Sequence, residues 1–142
     1  MINNNTLIAD KQRLLKALEA DGIRAAFDHF AIKVPDSEAY LELIEAYGRL
    51  LKADLQSGRN IATVVGSLGT FEIMEPKPGE IIAEPFVDHL GFVADDLTQV
   101  EEIYPEVVRK VTLGNTAVIF IKKGGEIIQF RTLPLKDFRV QV

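Results

Sequence analysis

The sequence predicts an α+β fold of two βαβββ modules behind an N-terminal helix. Three observations carry this. Apolar residues switch between helical and alternating spacing along the chain. The order strand, helix, strand, strand, strand reads twice. Residues 28 to 36, DHFAIKVPD, lie over residues 88 to 96, DHLGFVADD, at an offset of 60 with no gap, which marks an internal repeat. The length of 142 residues, with 47% apolar and 26% charged side chains, suits one globular domain.

Leu7, Leu14, Leu15 and Leu18 fall on helical spacing and Gly22 supplies a stop. A helix is therefore expected from about Leu7 to Ala20, within a leading segment at 1–24. In FDHFAIKV the period becomes two: Phe30, Ile32 and Val34 point one way, His29, Ala31 and Lys33 the other. Asp36 or Ser37 caps a second helix whose stripe is Tyr40, Leu41, Ile44 and Tyr47, ending near Gly48. A short strand is expected around Ala53 to Gln56, then a turn at SGRN and strands at NIATVVGS and TFEIMEP. PKPGE breaks the chain and closes a first module at about 27–79. The second module, about 86–134, runs through strand VDHLGFVA and a short acid-started helix in DDLTQVEEIYPE. Strands VVRKVTL, TAVIFIKK and IIQFRTLP follow. The tail LKDFRVQV is expected to add an edge strand or an arm, and residues 25–142 read as one domain.

Sixteen basic residues against 21 acidic give a net charge of −5, which opposes nonspecific nucleic-acid binding. The absence of cysteine excludes disulfides, thiolate zinc sites and thiol nucleophiles. No apolar stretch reaches the ~18 residues of a bilayer span, and MINNNTLIADKQ has no signal pattern. A cytoplasmic protein with no membrane or nucleic-acid partner is expected. Ser37, Ser57 and Ser67 lack a neighbouring histidine pattern, and GGE at 124–126 is a hairpin turn rather than a phosphate loop.

His29 and His89 are the only histidines, and both face away from the expected helices. The small residues Ala31 and Gly91, two positions on, leave room for a ligand. Glu72 lies between Phe71 and Ile73, and Gln129 between Ile128 and Phe130, so both point away from the core as the histidines do. The spacings His29 to Glu72 and His89 to Gln129 are 43 and 40 residues, as a duplicated module would give. Two imidazoles and a carboxylate suit a divalent Zn, Ni, Co, Mn or Fe ion, with a glutamine oxygen as a weak fourth ligand. The bland alternative is a pair of strand histidines with local hydrogen bonds and a solvated Glu72. Glu75, of the wrong parity, is a fallback ligand. Asp28 and Asp88 are expected to face the helices as strand-start hydrogen bonders. Arg131 shares the face of Gln129, and Lys33 that of His29; either can hold a substrate carboxylate or phosphate, or simply be solvated.

The twofold repeat, with a histidine opening each module and an acid or amide on each final strand, resembles the vicinal oxygen chelate superfamily. That superfamily includes glyoxalase I, methylmalonyl-CoA epimerase, fosfomycin and bleomycin resistance proteins and extradiol dioxygenases. The resemblance covers about residues 27–134. It implies curved mixed sheets around a metal cleft, with ligand positions at His29, Glu72, His89 and Gln129. The leading segment, and EPKPGE before the second DH, also resemble the YecM-like branch, whose members are predicted metal-binding proteins. The resemblance implies a lyase or isomerase acting on a small oxygenated acid or carbonyl compound by metal-assisted proton transfer. Glu72 would take the proton; if it stays bound, a hydroxide on the ion would. Glyoxalase I and the epimerase carry a glutamate on the last strand of the second module, where this chain has Gln129. Two further readings therefore stand: a non-catalytic protein that sequesters a small ligand, as bleomycin resistance proteins do, and a scaffold that only dimerises. Modules of this kind often pair across a homodimer interface.

Overall fold

The structure, a computed structural model, describes residues 2–137. Helix α1 (Asn4–Ala20) leads into β1 (Ala25–Lys33), α2 (Ser37–Tyr47), β2 (Arg49–Gln56), β3 (Arg59–Gly66) and β4 (Gly69–Met74). The second module repeats the order as β5 (Phe86–Ala94), α3 (Leu97–Ile103), β6 (Val107–Leu113), β7 (Thr116–Lys123) and β8 (Glu126–Arg131). The eight strands form one mixed sheet, ordered β2-β3-β4-β1-β5-β8-β7-β6. Each module is a four-stranded half, and the halves meet where β1 and β5 pair antiparallel. The pairs β1/β4 and β5/β8 are parallel, and the remaining pairs are antiparallel. The mirrored order places the central strands, which carry the two histidines, side by side.

The alternating faces fall as the spacing predicts. Phe30, Ile32, Val34, Phe71 and Ile73 from one half, and Leu90, Phe92, Ala94, Ile128 and Phe130 from the other, share one buried core with Leu7, Leu14 and Leu18 of α1. Truncating such a buried Phe to Ala typically costs about 3–5 kcal/mol. Asn3 caps α1, and the Asp36 and Asp96 side chains cap α2 and α3 by accepting backbone N–H bonds. Arg13 of α1 reaches both carboxylate oxygens of Glu126 on β8, at 2.8 and 2.5 Å. That pair is half-exposed, so it contributes at most about 1 kcal/mol.

Three details depart from the expectations. Leu41 is 63% exposed, so the buried stripe of α2 is Tyr40, Ile44 and Tyr47 without it. Strand β2 starts at Arg49, not near Ala53. Gly48 stops the helix and packs its backbone on Gly66, where an added Cβ would lie 1.9 Å from the Tyr47 carbonyl oxygen. The chain therefore re-enters the sheet at once. In the tail, Leu135–Asp137 form a 3-10 turn instead of a strand, and residues 138–142 lie outside the described residues. No described helix is long and apolar enough to cross a membrane.

Candidate metal centre

His29, Glu72 and His89 come together on the face of the sheet opposite the helices. One ligand atom from each lies within 4.8 Å of the others, and the two imidazole centroids are 5.6 Å apart. The cause is strand register. His29 pairs with Gly91 and Ala31 with His89 across β1/β5, while Ala31 pairs with Glu72 across β1/β4. Residues in register share a face, so three neighbouring strands deliver their side chains to one point.

The aspartates complete this arrangement in a way that simple alternation does not foresee. Pairing between β1 and β5 slips by one residue twice, between Phe27 and His29 and between Ala31 and Ile32. The extra residues are Asp28 on β1 and Asp88 on β5. Each is a β-bulge, which re-aims a side chain. The expectation that both aspartates face the helices is therefore overturned. Asp28 Oδ2 lies 2.7 Å from His29 Nδ1, and Asp88 Oδ2 lies 2.7 Å from His89 Nδ1. Asp28 Oδ2 also accepts the Leu135 N–H at 2.9 Å. Asp88 lines the cleft.

These contacts fix the protonation pattern. Burial acts to raise the Asp28 carboxyl, but bonds from His29 and Leu135 and the charge of Arg131 hold it below the usual range. Asp88 is likewise held low against burial by His89, Lys33 and Arg59. An ionised carboxylate only accepts, so each Nδ1 carries the proton that the pair shares. Burial depresses His29, against the opposing pull of Asp28 and Glu72, so its imidazole is neutral. Both Nε2 atoms are buried and lack any hydrogen-bond partner among the described residues.

The remaining expected residues sit around this point. Gln129 is buried beside Gly91 and Phe120 in register, and its Oε1 accepts from Arg131 Nη1 at 3.3 Å. Arg131 is 2% exposed, donates its Nε–H to the Leu133 carbonyl at 2.8 Å and feels the charges of Glu72 and Asp28. Lys33 Nζ lies 3.0 Å from Glu80 Oε2 and 3.9 Å from Asp88 Oδ1. Glu75 accepts from Ser37 Oγ at 2.9 Å and the Asn60 N–H at 3.1 Å, which removes it as a fallback ligand. The cleft over the centre has a volume of about 280 Å³ and is walled by Phe120, Met74 and Ile61 as well as polar groups. The room at Gly91 is not for a ligand: a Cβ there would lie 2.1 Å from His29 Cε1. It accommodates the histidine of the other module.

No protein-family model matches the sequence, and neither does any curated protein. Solved structures do match. The hypothetical protein BH1468 from Bacillus halodurans C-125 superposes with a TM-score of 0.62 at 17% identity, over 75% of this chain and 93% of that one. A structure titled Protein EC4020 gives 0.66 at 14% identity, over 96% of this chain and 94% of that one, so its match takes in most of α1. Glyoxalase I from Zea mays gives 0.59 at 17% identity over 77% of this chain. This chain has the vicinal oxygen chelate fold. It spans 43% of the maize enzyme's length. Within the vicinal oxygen chelate fold here, the carboxylate at the centre comes from the first module alone, and the matching position of the second is Gln129.

Proposed function

We propose that the chain is a divalent-metal-dependent lyase or isomerase acting on a small oxygenated acid or carbonyl compound. One observation carries the reading. Two imidazole Nε2 atoms are buried and turned towards Glu72, with no hydrogen-bond partner among the described residues. A buried polar atom left unbonded costs about 1–3 kcal/mol, and both aspartates aim these atoms instead of relieving them. A cation meets the need that no group among the described residues meets. The donor set of two imidazoles and a carboxylate suits Zn, Ni, Co, Mn or Fe, with the Gln129 oxygen as a fourth donor. Metal–ligand distances of ~2.1 Å draw such atoms to about 3–4 Å from one another, a closure the partly exposed Glu72 side chain supplies.

His29, Glu72, His89 and Gln129 would hold the ion, which supplies Lewis-acid polarisation of a substrate oxygen. The chain's own groups do the rest. Asp28 and Asp88 fix the tautomer and orientation of the imidazoles. Glu72 is the carboxylate placed to take a proton from carbon next to a carbonyl. Arg131, buried beside Gln129, meets negative charge that develops on the substrate. Phe120, edge-on to His89 at 5.3 Å, keeps water off that imidazole. Lys33 and Arg131 both line the cleft and are the groups to hold a substrate carboxylate.

The test is elemental analysis of untagged protein beside a His29→Ala, His89→Ala double variant. About one equivalent of a transition metal in the parent and none in the variant is the expected result. No metal in either, even after incubation with Zn, Ni, Mn and Fe salts, would sink the metalloenzyme reading and leave a ligand-sequestering cleft.

A further inference from the structure

The chain has a net charge of −5, but its cleft has the opposite bias. Five cations line it, Lys33, Arg59, Lys77, Arg109 and Arg131, against the carboxylates of Glu72 and Asp88. Two of these cations already have carboxylate neighbours: Lys33 has Glu80 and Asp88, and Arg131 feels the charges of Glu72 and Asp28. Arg59, Lys77 and Arg109 have no carboxylate within 4.0 Å among the described residues. Arg59 feels the more distant charges of Asp88 and Glu80, but cations with no carboxylate in contact, gathered in one concavity, focus the field on an anion and raise its local concentration.

Arg59 is the cation most nearly set for a ligand. Its Nη1 makes one long bond, 3.4 Å to the Glu75 carbonyl. Its Nε is buried and has no partner, an open donor of the kind that costs about 1–3 kcal/mol. The Nε–Nη edge of a guanidinium matches two oxygens of a carboxylate or phosphate. The surroundings hold it in place. Ser57 and Gly58 form the turn before it, with positive φ of 52° and 78°. That turn packs closely against Pro78 of the segment joining the modules, at 2.9 Å from the Cβ position of Gly58. In the same segment Glu80 accepts the Lys77 N–H at 3.0 Å and pairs with Lys33. Arg59 and Lys77 therefore belong to one fixed wall. Arg59 precedes Thr63 by four positions, and Thr63 is the register partner of Glu72. At ~3.3 Å per residue the two ends of the cleft lie about 13 Å apart along the strand.

We propose that the cleft takes a substrate with two acidic ends. The oxygenated head lies at His29, Glu72 and His89, and a second oxyanion, carboxylate or phosphate, lies on Arg59 and Lys77. Arg109, on β6 at the other edge of the sheet, draws the anion in. The head-group half rests on the metal reading above; the Arg59 subsite does not.

The experiment is calorimetric titration of inorganic phosphate, and separately of succinate, into metal-free protein at low ionic strength. The proteins are the parent, Arg59→Gln, Lys77→Gln and His89→Gln, with metal content measured on separate samples. The expected result is one saturable site in the parent, at least tenfold weaker in Arg59→Gln and unchanged in His89→Gln. The stronger of the two anions identifies the group that the subsite takes. If Arg59→Gln does not fold by far-UV circular dichroism, Lys77→Gln, a change at an exposed side chain, is expected to weaken binding about threefold. Absence of saturable binding of both anions overturns the subsite, whatever the metal content. So does binding that is lost in His89→Gln but kept in Arg59→Gln and Lys77→Gln, because the anion then sits at the centre.

Discussion

Gly91→Ala tests the reasoning at its tightest contact. The added Cβ would lie 2.1 Å from His29 Cε1, 2.5 Å from Nδ1 and 2.7 Å from Nε2. Carbon atoms pack at about 3.5 Å, so the overlap is about 1.4 Å. The ring has nowhere to go, because His29 is fully buried and its Nδ1 is tied to Asp28. Overpacking of this kind costs about 1–3 kcal/mol. Denaturant unfolding of the metal-free protein should show that loss. Metal affinity, read by competition with a chelator, should fall by about 10–100-fold, as it does when a ligand loses its orienting partner. A double-mutant cycle isolates the cause. In a His29→Ala background the imidazole is gone, so Gly91→Ala should cost little, giving a coupling of about 1–3 kcal/mol. Additive losses, or wild-type metal affinity in the single variant, would refute the claim that Gly91 exists to seat His29.

Three more outcomes follow from the same geometry. Asp88→Asn removes the charged acceptor behind His89 and should weaken metal binding about 10–100-fold while leaving the circular dichroism spectrum intact; unchanged affinity would mean that the bulge at Asp88 serves only the strand pairing. Glu72→Gln should abolish turnover of any substrate found while the protein stays folded, and retained turnover would remove Glu72 from the proton transfer. The metal-free protein should lose stability as the pH falls below about 6.5, the ordinary histidine value. His29 is depressed in the folded state, so the unfolded chain binds the extra proton first; its contribution is present above that pH and fades below it. Asp28 and Asp88 are also depressed, and their contribution is lost only near and below about pH 4. Denaturant midpoints at pH 7.5, 5.5 and 3.5 measure both steps, and equal midpoints at 7.5 and 5.5 would contradict the buried neutral His29.

Much of this centre is legible in the sequence because β-strands have a fixed period of two. Phe30, Ile32 and Val34 are apolar at alternate positions, so His29 has to face the other way, and the same holds for His89, Glu72 and Gln129. The DH pair at an offset of 60 also signals that the aspartates belong with the histidines. Their direction is not legible. A bulge adds one residue to one strand and reverses a side chain without changing composition, so Asp28 and Asp88 reach the imidazoles although alternation puts them on the helix side. Arg59, Lys77 and Arg109 are hidden for a different reason. They lie on a turn-flanking strand start, a linker and an edge strand, which are far apart in the sequence, and only the tertiary fold gathers them into one cleft. Leu41 fits the helical stripe, but α2 is covered on one side only, and periodicity does not show how wide that cover is.

The unequal halves make the last prediction. Glu72 and Gln129 occupy matching positions, since Ala31 pairs with Glu72 and Gly91 with Gln129 across the two parallel strand pairs. One half offers a carboxylate, the other an amide backed by the buried Arg131. With a divalent ion, one carboxylate leaves the centre net positive on the side of Gln129, where Arg131 adds to the bias. Such a centre favours negative charge on the substrate there. Gln129→Glu would cancel this bias and supply an ionic ligand in a place already lined by a guanidinium. Metal affinity should rise at least tenfold, on the order of 1.4 kcal/mol, while turnover of an acidic substrate falls, because the new carboxylate repels the charge that Arg131 attracts. Chelator competition and steady-state kinetics read the two effects separately. A variant that binds metal no more tightly than the parent would show that Gln129 holds Arg131 in position and does not mark a ligand position.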